Sequence, residues 1–179
     1  MKTKILKGSI VVFVLLLLFV SVASISAESN DTSVLSLSKS GITINYPSNW
    51  GYSQAISPYS IMAISKADDV DSFGVGQVNI NIEKKPIEGD FATFVNKTYE
   101  PMKYDSNYQL VSSGSSSIAG NTAFEYIYTA KENGVAKEHK AVWFEKGGQA
   151  YVLLYSAPMD KFESNLYVFD YILSDIQIT

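Results

Sequence analysis

From residue 41 the chain alternates. Ile42, Ile44 and Tyr46 are separated by Thr43 and Asn45, a period of two that predicts a strand ended by Pro47. Tyr59 to Lys66 is a second predicted strand. Gln77 to Glu83 is a third, with Val78, Ile80 and Ile82 on one side and Gln77, Asn79, Asn81 and Glu83 on the other. So strict an alternation predicts one solvated face, near a sheet edge. At Phe91 the period changes. Phe91, Phe94, Val95, Thr98 and Met102 recur at helical spacing, with Asp90 placed to cap the first turn and Pro101 to end the helix near Glu100.

Strands return afterwards. Ala119-Gly120-Asn121, Glu132-Asn133-Gly134 and Lys146-Gly147-Gly148 separate four runs that begin near Tyr108, Thr122, Val135 and Gln149, and such turns predict an antiparallel meander. Two runs are apolar on both sides: Phe124, Tyr126 and Tyr128 oppose Ala123 and Ile127, and Tyr151, Leu153 and Tyr155 oppose Ala150, Val152 and Leu154. A strand of that kind must be covered twice. Asp160 and Glu163 have capping-box spacing, and Phe162, Leu166, Phe169, Leu173 and Ile176 then form a helical stripe that can cover one face. The first helix covers the other. The expected fold is α+β, a three-layer α/β/α sandwich around a central, mainly antiparallel sheet. Trp50, Phe124, Leu153, Phe169 and Leu173 are expected in its core.

The first 27 residues read differently. Lys2, Lys4 and Lys7 precede an unbroken apolar run from Ile10 to Val20, and small residues lead to Ala27 before Glu28. This is the layout of a signal peptide. A retained anchor is the other reading, because Gly8 to Ala27 is long enough to span a bilayer. Either way the lysines stay inside and the remainder is exported. Residues 28–40, rich in Ser, Thr, Asn and Asp, read as a flexible lead-in to one domain at 41–179.

The run Gly41-Ile-Thr-Ile-Asn-Tyr-Pro-Ser-Asn-Trp50 resembles the opening of PsbP-like and Mog1-like domains, and Phe169 to Ile178 is similar to their closing helix and short last strand. The resemblance implies the same sandwich and a non-catalytic exported accessory protein. The plant members support the oxygen-evolving photosystem and retain its calcium and chloride. That role is not carried over to an acidic chain with one histidine; small microbial PsbP-related exported proteins are the nearer comparison.

Charge narrows the partners. The chain has 14 basic and 18 acidic residues, all the basic ones lysine; three lysines lie in the first 27 residues, so residues 28–179 carry 11 against 18, a net of −7. Without arginine or a positive surplus, nucleic acid is excluded as a partner. No cysteine is present and His139 is the sole histidine, so a zinc site lacks its usual ligands. His139 reads as an exposed strand residue with no nucleophile near it in sequence.

Asp68, Asp69 and Asp71 begin like a calcium loop, but Phe73 replaces an oxygen ligand and Ile80 stands where Glu is needed, so a solvated acidic loop is expected. Ser36 to Lys39 match Ser-x-x-Lys without companion motifs; Gly114 to Ser117 and Gly74 to Gly76 match no catalytic or nucleotide loop either. Asn30 and Asn96 head glycosylation triplets. Twelve tyrosines are the positive feature, expected mainly in sheet packing and otherwise in an aromatic binding surface.

The expectation is a non-enzymatic binding or assembly module with no catalytic, cofactor or metal residues. It would lie outside the cytoplasm, secreted or at the outer side of the cytoplasmic membrane, and support a membrane or envelope protein complex. Two alternatives stand beside it: a cell-envelope hydrolase with a dispersed site, and a solute- or calcium-binding domain.

Overall fold

The computed structural model describes residues 33–179 apart from 54–56, 73 and 133. Residues 1–27, which the sequence reads as a signal peptide or anchor, and Asn30 lie outside these residues. Among the described residues the first element is a strand, β1 (Val34–Lys39), within the stretch expected to be flexible. It pairs antiparallel with β2 (Ile42–Pro47), from Val34 opposite Pro47 to Lys39 opposite Ile42. Its side chains are largely exposed and only Leu37 packs on the core, so its composition looks like a linker while its backbone forms a ladder. The fold therefore starts upstream of Gly41.

β3 (Trp50–Tyr52), β4 (Ser60–Lys66) and β5 (Asn79–Pro86) follow, then helix α1 (Phe91–Tyr99) and a 3-10 turn at Pro101–Tyr104. The meander is β6 (Gln109–Ile118), β7 (Asn121–Glu132), β8 (Val135–Lys146) and β9 (Gln149–Pro158). Helix α2 (Phe162–Asp175) and β10 (Gln177–Ile178) close the chain. Among the described residues seven strands form one sheet in the order β3-β4-β5-β9-β8-β7-β6, every pairing antiparallel, and β1, β2 and β10 form a second. The β8–β9 turn shows why the meander was legible. Gly147 and Gly148 both take positive φ, 61° and 71°, the two-residue geometry whose twist matches the strands it joins.

Both helices were expected, with differences at their ends. Asp90 caps α1 by accepting from the Thr93 N–H at 2.9 Å. The inward residues are Val95 and Tyr99; Thr98 is exposed and its hydroxyl bonds the Phe94 carbonyl. In α2 the expected box between Asp160 and Glu163 does not form. The helix starts one residue later, with Lys161 at the cap and no side-chain cap bond.

The layers follow from burial. On one face of the large sheet, Val95 and Tyr99 of α1 pack with Tyr128, Ala141, Trp143, Ala150 and Val152. On the other, α2 (Phe162, Val168, Phe169, Ile172) and the small sheet (Ile42, Ile44, Tyr46) pack on Trp50, Ile64, Ile80, Phe144 and Leu153. Trp50, Leu153 and Phe169 are buried as expected, while Phe124 and Leu173 are half-buried. No helix among the described residues is long and apolar enough to cross a membrane.

Candidate functional site

The α1 face of the large sheet carries a polar row that only the register reveals. Ser65 of β4 lies opposite Asn79 of β5, Asn79 opposite Ser156 of β9, Ser156 opposite His139 of β8, and His139 opposite Tyr128 of β7. All five are buried, between 2% and 8% exposed. The solvated face expected for β5 is thus interior, and β5 is not itself an edge strand: it lies between β4 and β9. Alternation reported which side chains share a face, not what covers them. Part of the cover is the loop after β4. Asn79 Nδ2 donates to the Gly76 carbonyl at 3.1 Å, and a Cβ added at Gly76 would stand 2.3 Å from Ser65 Cβ. Only glycine fits there.

His139 is the sharpest correction. It is 2% exposed, its Nδ1 lies 2.8 Å from Ser156 Oγ, and its ring stacks on Tyr128 with centroids 4.7 Å apart. The fold has supplied the hydroxyl that the linear sequence did not place beside it. In a nucleophilic pair the serine bonds Nε2 and a carboxylate orients Nδ1, with the hydroxyl open to substrate. Here the serine holds Nδ1 and is itself only 6% exposed. The arrangement suits a structural hydrogen bond.

A second polar cluster begins one residue pair along β5. Glu83 accepts from Ser57 Oγ at 2.6 Å and Asn81 Nδ2 at 2.9 Å, and Ser60 Oγ donates to Asn81 Oδ1 at 2.7 Å. Lys85 pairs with Glu83 at 2.8 Å, and its ammonium lies 5.2 Å from the Tyr59 ring centroid and 5.5 Å from that of Trp143. The carboxylate is thus held by three donors in a nearly buried setting, as burial of a charge requires. These groups bond one another.

Next to it the tyrosines assemble under α1. Tyr99 stacks on Tyr126 at 4.0 Å and accepts the Trp143 indole N–H at 2.8 Å. Burial first, and then the nearby Tyr128, push its hydroxyl far above the ordinary phenol range. Tyr126 also donates to Asn96 Oδ1, so the side chain of that glycosylation triplet is already engaged on the exposed side of α1. Other tyrosines point outward: Tyr104 is 87% exposed, Tyr167 60% and Tyr171 39%.

The acidic loop is tied down rather than loose. Asp69 accepts from Lys161 Nζ at 2.6 Å, Asp71 accepts from the Val75 N–H and Gln77 Nε2, and Asp68 lies 3.6 Å from Lys66 Nζ. No group of three or more acidic or histidine side chains among the described residues could hold a metal ion. Ser36 and Lys39 lie on β1, and Gly114 to Ser117 on β6.

Against this geometry the sequence profile of the PsbP-like proteins matches residues 20–177. The chain belongs to the PsbP-like protein family. Its fold is similar to the solution structure of the cyanobacterial PsbP, CyanoP, from Synechocystis, with a TM-score of 0.59 at 14% identity over 85% of this chain and 96% of that one. It is also similar to LpqN of Mycobacterium tuberculosis, a protein involved in cell envelope biogenesis, with a TM-score of 0.57 at 16% identity over 84% and 92%. No curated protein sequence matches. At these identities the structural likeness is one of fold, a PsbP-like sandwich belonging to a generally non-enzymatic class.

Proposed function

We propose that this PsbP-like protein is an exported, non-enzymatic module that binds and supports a membrane or envelope protein complex on the outer side of the cytoplasmic membrane. The observation that carries the reading is the division among its tyrosines. Tyr99, Tyr128 and Tyr155 are interior, whereas Tyr104, Tyr167 and Tyr171 are exposed. Tyr167 and Tyr171, four residues apart on α2, share one side of that helix. Exposed tyrosine offers large contact area at small entropic cost, which suits a partner surface. The lysine-led apolar N-terminus supports export, by cleavage or by anchoring. The envelope role of LpqN suits the same compartment.

Affinity capture from native membranes tests it. Replacing Tyr104, Tyr167 and Tyr171 with Ser should lower recovery of the partner complex about ten-fold or more, in line with interface aromatics acting as hot spots. Replacing Asp68, Asp69 and Asp71 with Asn should leave recovery unchanged. The specific observation favouring a hydrolase is the His139–Ser156 pair. A Ser156→Ala protein that folds normally, retains its partner and yet loses function in cells would establish that reading instead.

A further inference from the structure

Among the described residues the large sheet ends on β6, and from Ser112 onward this edge lacks the usual protections. Gln109–Ile118 contains no charge and no proline, and eight of its ten residues are exposed. From Ser112 to Ile118 the strand runs in unbroken register against β7; the one irregularity lies earlier, between Leu110 and Ser112. Proteins normally blunt such an edge with lysine, proline, shortness or a bulge, because its outward N–H and C=O groups template another strand. The other edges here obey that rule: β3 has three residues and β10 two, and β1 carries Lys39.

Gly114 gives the edge chemical direction. It takes no positive φ, and a Cβ built on it meets nothing within 4 Å, so neither backbone nor packing demands glycine. What its bare position does is open a gap in front of Glu125, its partner across the ladder on β7. A strand laid beside β6 would place a residue opposite Gly114 about 10 Å from Glu125, two strand spacings away. A lysine or arginine side chain reaches across that gap to the carboxylate; an acidic or short one does not.

We infer that the outer edge of β6, between Ser112 and Ile118, accepts an extended basic segment of a partner protein as an eighth strand, with a lysine or arginine passing over Gly114 to Glu125. The net charge of −7 on residues 28–179 favours a basic segment. It disfavours a second copy, whose own β6 brings no cation to Glu125. The inference rests on the partner-binding reading but concerns a surface separate from the exposed tyrosines.

The test is amide hydrogen exchange on the full chain with a blocked heptapeptide of alternating threonine and valine and a central lysine, at millimolar concentration. Exchange across residues 109–118 should slow, and exchange across β5 should not. A central glutamate should abolish the slowing. Glu125→Gln should weaken the lysine peptide about two- to five-fold, the scale of a solvent-exposed ion pair. Gly114→Lys, which meets no steric obstacle and supplies the cation from within, should remove the preference for lysine over glutamate. No slowing with the lysine peptide, equal slowing with both peptides, or protection that grows with protein concentration alone would each overturn the inference. Partner capture that still depends on the tyrosines would leave the functional reading standing.

Discussion

His139 and Ser156 sit directly opposite each other on β8 and β9, and the imidazole Nδ1 lies 2.8 Å from the serine hydroxyl. Two polar side chains with almost no exposure hold that geometry because the serine hydroxyl and the imidazole Nδ1 pair with each other in the middle of a buried row. Ser156→Ala should therefore cost about 1–3 kcal/mol in urea unfolding, the penalty for removing one partner of a buried hydrogen bond. Partner capture by the folded variant should be unchanged. A normal unfolding curve would remove the structural reading of the pair.

Stability should fall steeply in alkali. Tyr99 and Tyr155 are both raised, Tyr99 by burial and Tyr128, Tyr155 by burial and then Glu163 and Glu138. In the unfolded chain each ionises near pH 10, while the folded protein keeps them protonated. The unfolded state then binds fewer protons than the folded one, so stability is flat below about pH 10 and declines above it, by about 1.4 kcal/mol per pH unit for each group. Tyr99→Phe should lower stability at neutral pH, because the Trp143 N–H loses its acceptor, but should make the alkaline decline shallower. Urea titrations at neutral pH and between pH 9 and 11 would show both effects. An unchanged slope would mean that Tyr99 is not the buried phenol described.

Trp50 supports the family resemblance physically. It is 2% exposed on the three-residue strand β3 and belongs to the core shared with α2. Trp50→Ala should cost about 3–5 kcal/mol, as truncation of a buried large aromatic does. A loss below about 1 kcal/mol in calorimetry or urea would show that the residue does not seal that end of the sheet.

The meander was legible because its signals are local. Turn glycines and period-two runs placed the starts of β6 to β9 within a residue, and both helices were visible from their stripes. Burial was less legible, because it depends on register between strands distant in sequence. Asn79 and Asn81 look like a wet face until Ser65, Ser156 and the loop through Gly76 are brought against them. His139 looked exposed for the same reason. β1 escaped notice because serine-rich strands with exposed side chains resemble linkers, and only its pairing with β2 distinguishes it. The outward tyrosines could be counted in the sequence but not sorted from the inward ones. Sorting needed α2 to be placed on the sheet.

One seam has a bearing on how the chain folds as it is made. β5 pairs with β9 from Asn79 opposite Ser156 to Pro86 opposite Gln149, so α1 and all of β6, β7 and β8 are synthesised between the two partners. Strands β6 to β9 can zip up as successive hairpins, but β5 must wait with one long side unpaired until β9 emerges. A waiting strand with Ile80 and Ile82 along one side is an aggregation hazard, and polar residues among the apolar ones are the usual safeguard. Asn79, Asn81 and Glu83, dry in the finished sheet, put such polar residues along the other side of that strand.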